Sequence, residues 1–287
     1  MKRIIAGLAL ACAATLVTAV PAQAAPKNPV TAVKKQLAPG KGVKFTERTT
    51  IDDSVTRMIF VRRSGTLAFR KNGLAGADST GKLNIKASDL GEDAPELLKA
   101  MAAPERTIWL GKTSYLSGGM WPALMDDQDK KWFKLPNGPT GGFTGIFGQP
   151  LNVAEPATLK ALLKNAKATK GGYSGKITVG QARKVSPWFR ATHLRDDYPA
   201  KVLKTQISWK LSVDAKGLPT RLVTTFPLGV VNGTPKKSET ISVDTRYTGW
   251  GTKASIKAPT QSDASDTSKE GQEKALDILD SLKVGTK

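Results

Sequence analysis

The sequence is poor in the two side chains that most often carry catalysis and bind metals. Its 287 residues include one cysteine, Cys12, and one histidine, His193. A disulfide within one chain needs two cysteines, and a structural zinc site needs four ligands drawn chiefly from cysteine and histidine, so both are excluded. A mechanism that needs a histidine as acid or base has His193 as its one candidate.

Long apolar runs are also scarce, because the one such run lies at the N-terminus. Residues 4–20 are apolar except for two threonines, follow two basic residues, and lead through a proline to the small-x-small sequence of residues 22–24. This order predicts a secretory signal peptide over residues 1–24. We expect cleavage near Ala24/Ala25 and a protein that is secreted or associated with the cell envelope.

Cys12 lies within this apolar run and raises the question of a lipid anchor. A lipobox requires a branched apolar residue three positions before the cysteine, and that position holds Ala9. We therefore interpret Cys12 as an apolar filler that leaves with the signal peptide. A diacylglyceryl anchor at Cys12 is the less favoured alternative.

Acidic residues are few relative to basic ones. The chain has 24 aspartates and glutamates against 44 lysines and arginines, which gives a net charge of +20. The basic residues are spread along the chain instead of forming one cluster, and together with export this disfavours a nucleic-acid partner. Anionic cell-wall polymers or membrane head groups are the partners that such a charge would attract outside the cell. Solubility alone explains the charge equally well.

No arrangement of residues in the sequence indicates catalysis or metal binding. His193 stands near Asp196 and Asp197, but no Gly-x-Ser-x-Gly nucleophile turn accompanies them. Residues 126–129 include three aspartates, yet the glycine and the twelfth-position glutamate of a calcium loop are missing. We expect no catalytic residue, no metal site and no cofactor, and hence no enzyme.

Strand signals dominate most of the chain. Apolar and polar residues alternate without error over 206–213, which predicts a strand with one buried and one wet face. Turn residues at Ser64-Gly65, Gly111-Lys112 and Asn232-Gly233 predict hairpin turns between further strands. We predict strands over 43–50, 56–63, 106–110, 113–116, 131–135, 218–226 and 238–247, and helices over 29–38, 93–101, 156–167, 179–185 and 270–282.

A glycine-rich stretch, Gly138–Gly148, interrupts this pattern. It also contains Phe143, Ile146 and Phe147, and no Gly-Lys-Ser/Thr follows it, so a phosphate-binding loop is excluded. The composition favours a flexible loop. Such a loop is either an ordinary surface connection resting on the core or a mobile lid, and the sequence leaves both open.

Five short stretches follow one another in a recognisable order. Residues 106–116 (RTIWLGKTSYL), 130–135 (KKWFKL) and 173–179 (YSGKITV) precede the hairpin 209–222 (WKLSVDAKGLPTRL) and the closing strand 247–259 (YTGWGTKASIKAP). Together they resemble the strands and turns of LolA-like and LppX/LprG-like secreted lipoproteins, which have a lipoprotein-carrier fold. The motifs are structural turns, not catalytic residues.

The resemblance implies an α+β domain over residues 25–259. In that fold a strongly curved antiparallel sheet, a half-open barrel, wraps around a few helices, and an apolar cavity lies between sheet and helices. The alternating strands independently favour a single α+β domain built on an antiparallel sheet. Residues 260–287 are then an acidic linker and a C-terminal helix.

The resemblance also implies a non-catalytic, monomeric envelope protein that binds a hydrophobic lipid, acyl chain or lipoprotein in this cavity. If the helices pack tightly against the sheet, the same apolar residues form a plain core instead. The alternative function is a cationic adhesive or structural protein that binds anionic cell-wall polymers or membrane head groups. Strand alternation gives the expected cavity lining as Met58, Phe60, Trp209, Leu211, Phe226 and Val243.

Overall fold

A computed structural model of the chain describes residues 28–277, except 54, 126, 128, 194–197, 232, 235–238, 266–268, 270, 274 and 276. The predicted signal peptide and Cys12 lie outside the described residues, as do Asp126, Asp196 and Asp197. Of the predicted C-terminal helix, residues 271–273 are helical and Ala275 is buried, whereas residues 278–282 lie outside the described part.

One large sheet forms the framework of the described chain. Its twelve strands run in the order β12-β6-β5-β4-β3-β2-β1-β11-β10-β9-β8-β7, and every neighbouring pair is antiparallel except β12 and β6. The sheet is open, with β12 and β7 at its two edges. The strands are β1 (Lys41–Asp52), β2 (Arg57–Arg70), β3 (Gly73–Leu83), β4 (Glu105–Leu110), β5 (Thr113–Gly118), β6 (Trp132–Pro136), β7 (Lys167–Thr169), β8 (Gly172–Thr178), β9 (Gln206–Val213), β10 (Pro219–Pro227), β11 (Thr240–Lys253) and β12 (Ala264–Ser265).

Short helices pack against the inner face of this sheet. The Asn28 side chain accepts a hydrogen bond from the Val30 N–H at 2.9 Å and caps the first helix. Thr178 and Gln181 form a reciprocal capping box at the start of α5. The helices are α1 (Pro29–Lys34), α2 (Glu96–Met101), α3 (Gly142–Ile146), α4 (Pro156–Leu163), α5 (Val179–Val185), α6 (Pro187–His193) and α7 (Ala200–Leu203).

The predicted class, an α+β fold on a mostly antiparallel sheet, is confirmed, and the parallel β12–β6 pair makes the sheet mixed. The β4–β5 hairpin turns at Gly111-Lys112 as predicted. The turn predicted at Ser64-Gly65 is wrong, because β2 continues to Arg70. A Cβ on Gly65 would lie 2.4 Å from the Asp78 carbonyl oxygen, so this glycine serves the close approach of β2 to β3.

Two connections differ from the sequence-based expectation. The segment between β10 and β11 is longer than a two-residue hairpin and includes a 3₁₀ turn over Leu228–Val230. Part of the predicted acidic linker pairs with the sheet, since the N–H groups of Lys131 and Trp132 both donate to the Asp263 carbonyl at 3.0 Å. The Lys130 ammonium adds a bond of 2.9 Å to the Ser262 carbonyl.

Candidate functional site

The glycine-rich stretch packs against the inner face of the sheet. Every residue from 138 to 155 is buried, and α3 forms within this segment. The interpretation of Gly138–Gly148 as a surface loop or a lid is therefore wrong. Glycine is required here by packing, because a Cβ on Gly148 would lie 2.5 Å from an Arg63 Nη1 atom and one on Gly142 would lie 2.5 Å from Thr107 Oγ1. We call residues 138–155 the buried segment.

A buried ion pair anchors the buried segment at Gln149. Arg63 on β2 and Glu47 on β1 face each other across adjacent strands at 2.8 Å, and each side chain is 2% exposed. The Glu47 carboxylate also accepts hydrogen bonds from the Gln149 N–H at 3.2 Å and the Thr245 hydroxyl at 3.0 Å. Buried charges need such partners because their desolvation is unfavourable. The pair therefore ties the buried segment to three central strands through Glu47, Arg63 and Thr245.

Glu105 on β4 anchors the segment a second time, at Phe143 and Thr144. Its carboxylate accepts from the Thr144 N–H at 2.6 Å, the Phe143 N–H at 3.2 Å and the Trp121 indole N–H at 2.7 Å. Burial raises the pKa of Glu105, while the bonds from Thr144 and Trp121 oppose that rise. Because its partners include two backbone N–H groups of α3, this carboxylate holds the segment in place.

An open cleft lies beside the buried segment at one end of the sheet. It has a volume of about 800 Å³ and lies between the β2–β3 turn, the β4–β5 turn, α1 and the starts of α4 and α6. Its walls are mainly apolar, and Lys34, Arg70 and Lys71 stand at its edge. The apolar walls include Leu37, Leu74, Trp109, Pro156, Trp188 and Ala191. We call this space the cleft.

Trp188 forms a fixed wall of the cleft. Its N–H donates to the Glu155 carboxylate at 2.7 Å, and its indole N–H donates to the Gln149 carbonyl at 2.9 Å. Glu155 also accepts from the Ser186 and Thr158 hydroxyls, and burial raises its pKa. The Trp109 ring meets the Trp188 ring edge-on, with centroids 6.4 Å apart. Two aromatic rings are thus held in place at the opening.

The residues predicted to line a cavity lie elsewhere. Trp209, Leu211, Phe226 and Val243 are buried in the core, at 3% exposure or less. None of the six predicted residues lines the cleft. Trp209 borders a second, more open hollow of about 620 Å³ together with Lys167, Lys176 and Lys210.

Strand β2 departs most from the predicted lining. Met58 is 48% exposed and lies outside the buried core. Phe60 is half-buried, with its ring 4.9 Å from that of Phe147 in the buried segment. A bulge pairs Thr49 with Val61 and Thr50 with Ile59, so Phe60 is the extra residue and Val61 takes the fully buried position.

Sequence reasoning missed Trp109 and Trp188 as members of one site. A signal was present, because Trp109 lies two residues before the glycine of a predicted hairpin and Trp188 follows a proline at a helix start. Both positions lie near chain turns, where side chains reach an end of the sheet. The distance between them along the chain hid their contact.

The polar candidates of the sequence lie only partly within the described residues. His193 ends α6, and its neighbours 194–197 lie outside the described residues. Asp127 and Asp129 lie in the β5–β6 connection, and no group of three metal-ligating side chains occurs among the residues described. No described helix is long and apolar enough to cross a bilayer.

Comparison with known proteins gives only distant structural likenesses. No protein-family model matches the chain, and no curated protein matches it. A LolA superfamily protein from Nitrosomonas europaea is 11% identical, with 75% of this chain and 89% of that chain covered and a TM-score of 0.28. A DUF1329 family protein from Desulfovibrio piger is 9% identical, with coverage of 77% and 93% and a TM-score of 0.29.

A lipoprotein-sorting domain gives a likeness of the same order. This outer membrane lipoprotein-sorting protein domain from Vibrio parahaemolyticus is 9% identical, with 76% of this chain and 92% of that chain covered and a TM-score of 0.29. One of these structural neighbours bears the name of the superfamily that the sequence motifs resemble.

Proposed function

We propose that the protein binds a hydrophobic ligand, a lipid or an acyl chain, in the cleft. The observation that carries this proposal is an open space of about 800 Å³ with largely apolar walls, next to the buried segment. Ligand sites of small molecules have volumes of about 300–1,000 Å³ and mostly apolar linings. An acyl chain that buries a few hundred Å² would gain several kcal/mol at about 25 cal/mol per Å², before ordering is subtracted.

The buried segment restricts the places where such a ligand can bind. A ligand beneath the centre of the sheet would have to displace residues 138–155 and break the bonds of Glu47 and Glu105. Removing one partner from a buried charge costs about 3–5 kcal/mol. The cleft needs no such rearrangement, so we place the ligand there and not against Trp209, Leu211 or Phe226.

The wider proposal concerns the mature protein. We propose that it is exported after cleavage near Ala24/Ala25, carries no anchor at Cys12, and acts as a monomeric, non-catalytic carrier or binding module of the envelope. Residues 25–259 would form its domain, with the sheet curled as a half-open barrel, followed by residues 260–287. The signal-peptide pattern and the carrier-like motifs of the sequence support this assignment.

The test fills the cleft without disturbing the core. Ala157 is an exposed residue of the cleft in the first turn of α4, and Ala168 is an exposed residue on the edge strand β7. We expect wild-type protein and Ala168→Trp to bind a fluorescent fatty acid and to retain lipid in native mass spectrometry. Ala157→Trp should bind at least tenfold more weakly while unfolding at the same denaturant concentration.

The contrary result is equally definite. If wild-type protein neither retains lipid nor binds the fatty acid, the ligand proposal is wrong. The cationic adhesive alternative then predicts retention on anionic polymers or head groups that disappears in high salt. If Ala157→Trp binds as well as Ala168→Trp, the ligand lies outside the cleft.

A further inference from the structure

The two ends of the sheet differ in charge. Four hairpin turns lie at the end where β1 begins and β11 finishes, and each turn carries an exposed lysine. Asp214 is the one acid in these turns, and its carboxylate accepts from the N–H groups of its own turn at 2.8 Å. We call this the lysine end, and its turn lysines are Lys71 (β2–β3), Lys112 (β4–β5), Lys170 (β7–β8) and Lys216 (β9–β10).

More cations surround these turns. Lys41 and Lys253 pair across β1 and β11 at the same end, and all the cations named here are exposed. Within the described part of the chain none of them has an acidic group at ion-pair distance. The remaining exposed cations of this end are Lys34, Lys35 and Arg70.

The opposite end carries charge of both signs. Its β8–β9 connection, residues 179–205, holds five described cations and no described acid. Three of its connections, β1–β2, β3–β4 and β5–β6, hold seven described acids and four lysines. The acids are Asp53, Asp89, Glu92, Asp93, Glu96, Asp127 and Asp129, and the lysines are Lys86, Lys99, Lys130 and Lys131. Lys99 and Lys130 are paired locally with Glu96 and Asp127. The positive charge of the hairpin turns is therefore concentrated at one end.

The cleft opens at the lysine end. Its walls include the β2–β3 turn with Lys71, Gly111 of the β4–β5 turn and Leu37 after α1. The turn lysines run from β4 to β8 along the sheet order. The β2–β3 and β4–β5 turns border the cleft, and the β9–β10 and β7–β8 turns follow to one side of it. With strands about 4.8 Å apart, this spread covers roughly 35–40 Å of the rim.

We propose that the lysine end is a docking surface for an anionic lipid bilayer, which brings the cleft against the head groups. This inference rests on the proposed ligand function, because a module that exchanges a lipid must meet a membrane at its opening. Lysines on the tips of separate hairpins reach outward over a broad rim and match a planar array of anionic head groups. A linear polyanion would instead be expected to follow a continuous groove. Attraction of basic residues to an anionic leaflet is worth about fivefold in partitioning per lysine.

The test compares two sets of four lysines. The turn variant carries Lys112→Gln, Lys170→Gln and Lys216→Gln together with Lys253→Gln beside these turns, and none of the four residues lines the cleft. The control carries Lys44→Gln, Lys82→Gln, Lys176→Gln and Lys210→Gln, four exposed strand positions with the same change in charge. Both are tested, beside the wild type, for sedimentation with phosphatidylcholine vesicles that contain or lack phosphatidylglycerol. The N-terminus of each purified protein is established by intact mass.

We expect wild type and control to bind only the anionic vesicles, and to be released in about 1 M salt, where the Debye length is about 3 Å. The turn variant should bind at least fiftyfold more weakly. Its affinity in solution for a neutral pyrene-labelled alcohol should stay within twofold of wild type, so a failure of docking is separable from a failure of the cleft.

Three results would overturn the inference. One is equal vesicle binding by the turn variant and wild type, and another is loss of binding in the control alone, which would move the surface to the outer sheet face. The third is turn-lysine-dependent binding to soluble polyphosphate without binding to anionic vesicles, which would replace the bilayer with a polymer. In each case retention of the pyrene-labelled alcohol would leave the cleft proposal intact.

Discussion

The buried segment and the cleft occupy neighbouring places against the same sheet, yet they are built in opposite ways. In the buried segment, the backbone N–H groups of Thr144 and Gln149 donate to the carboxylates of Glu105 and Glu47, which lie on distant strands. The walls of the cleft are mainly apolar. The wall residue Trp188 donates its backbone N–H to the Glu155 carboxylate and its indole N–H to the Gln149 carbonyl. Buried carboxylates can therefore hold a segment against the sheet in a fold that keeps a mainly apolar cleft at one end of that sheet.

This difference has energetic consequences. Changes to the buried segment should affect folding, because its polar groups have no water to replace a lost partner. Changes at the cleft residues Trp109, which is half-buried, and Ala157, which is exposed, should affect ligand binding with little effect on folding. The predictions below test that separation, beginning with the largest effect.

The largest effect is expected at the buried ion pair. Arg63→Met leaves the Glu47 carboxylate without its cation, and breaking a buried pair costs about 3–5 kcal/mol. The matched surface change, Arg106→Met, removes a pair whose side chains are 51% and 29% exposed, and should cost less than about 1 kcal/mol. Urea unfolding measures both. Equal losses would contradict the anchoring role of Glu47.

Two glycines of the buried segment give the next effect. A Cβ on Gly148 would lie 2.5 Å from Arg63 and 2.7 Å from Glu47, whereas a Cβ on Gly145 would meet nothing closer than 3.4 Å. Gly148→Ala should therefore destabilise by about 1–3 kcal/mol through overpacking. Gly145→Ala, in α3, should change the free energy of unfolding by less than about 1 kcal/mol. A stability loss at Gly145 as large as at Gly148 would argue against this packing account.

A smaller effect depends on pH. Burial raises the folded-state pKa of Glu105, so the stability it contributes is present below its unfolded pKa, about 4.3, and falls as pH rises toward the folded value. The stability deficit of Glu105→Gln relative to wild type should therefore shrink as pH increases through this range. Denaturant unfolding between about pH 4 and pH 7 measures it.

Asp53 supplies a control, because the pH dependence of its contribution to stability should have the opposite sign. Hydrogen bonds from the Thr56 and Val55 N–H groups lower its pKa, so its contribution is present above its unfolded pKa, about 3.9, and is lost as pH falls. The deficit of Asp53→Asn should shrink as pH falls. If the two variants follow the same trend with pH, the environment assigned to Glu105 is wrong.

The smallest effect on folding is expected in the cleft. Trp109→Ala removes a half-buried ring and its contact with Trp188, so fatty-acid affinity should fall about fivefold to tenfold. The loss of stability should be below about 2 kcal/mol, whereas Trp121→Ala, at a fully buried ring, should lose about 3–5 kcal/mol. If Trp109→Ala leaves the affinity for the fatty acid unchanged, the Trp109 ring does not contact the ligand.

The sequence predicted those parts of the fold that depend on local pattern. The strand at residues 206–213 needs only its period of two, and the β4–β5 turn needs only Gly111-Lys112. On β2 a single bulged residue changes which side chains are buried. Alternation in the sequence carries no information about bulges, so the position of Phe60 could not be predicted from it.

The buried segment was hidden for a different reason. Glycine, threonine and proline at positions 138–148 have the composition of a surface loop, and the groups that bury them lie far away along the chain. Glu47 is 102 residues from Gln149, and Glu105 is 39 residues from Thr144. Since these bonds decide between loop and core, no reading of residues 138–148 alone could place them. The cleft was missed because its walls come from five separate segments.

The most direct test of the central claim is photolabelling with a diazirine fatty acid, followed by peptide mapping. The account predicts label on cleft segments, near Leu37, Leu74, Trp109 and Trp188, that unlabelled fatty acid competes away. Saturable label centred on Trp209, Leu211 or Phe226, beneath the sheet, would contradict it.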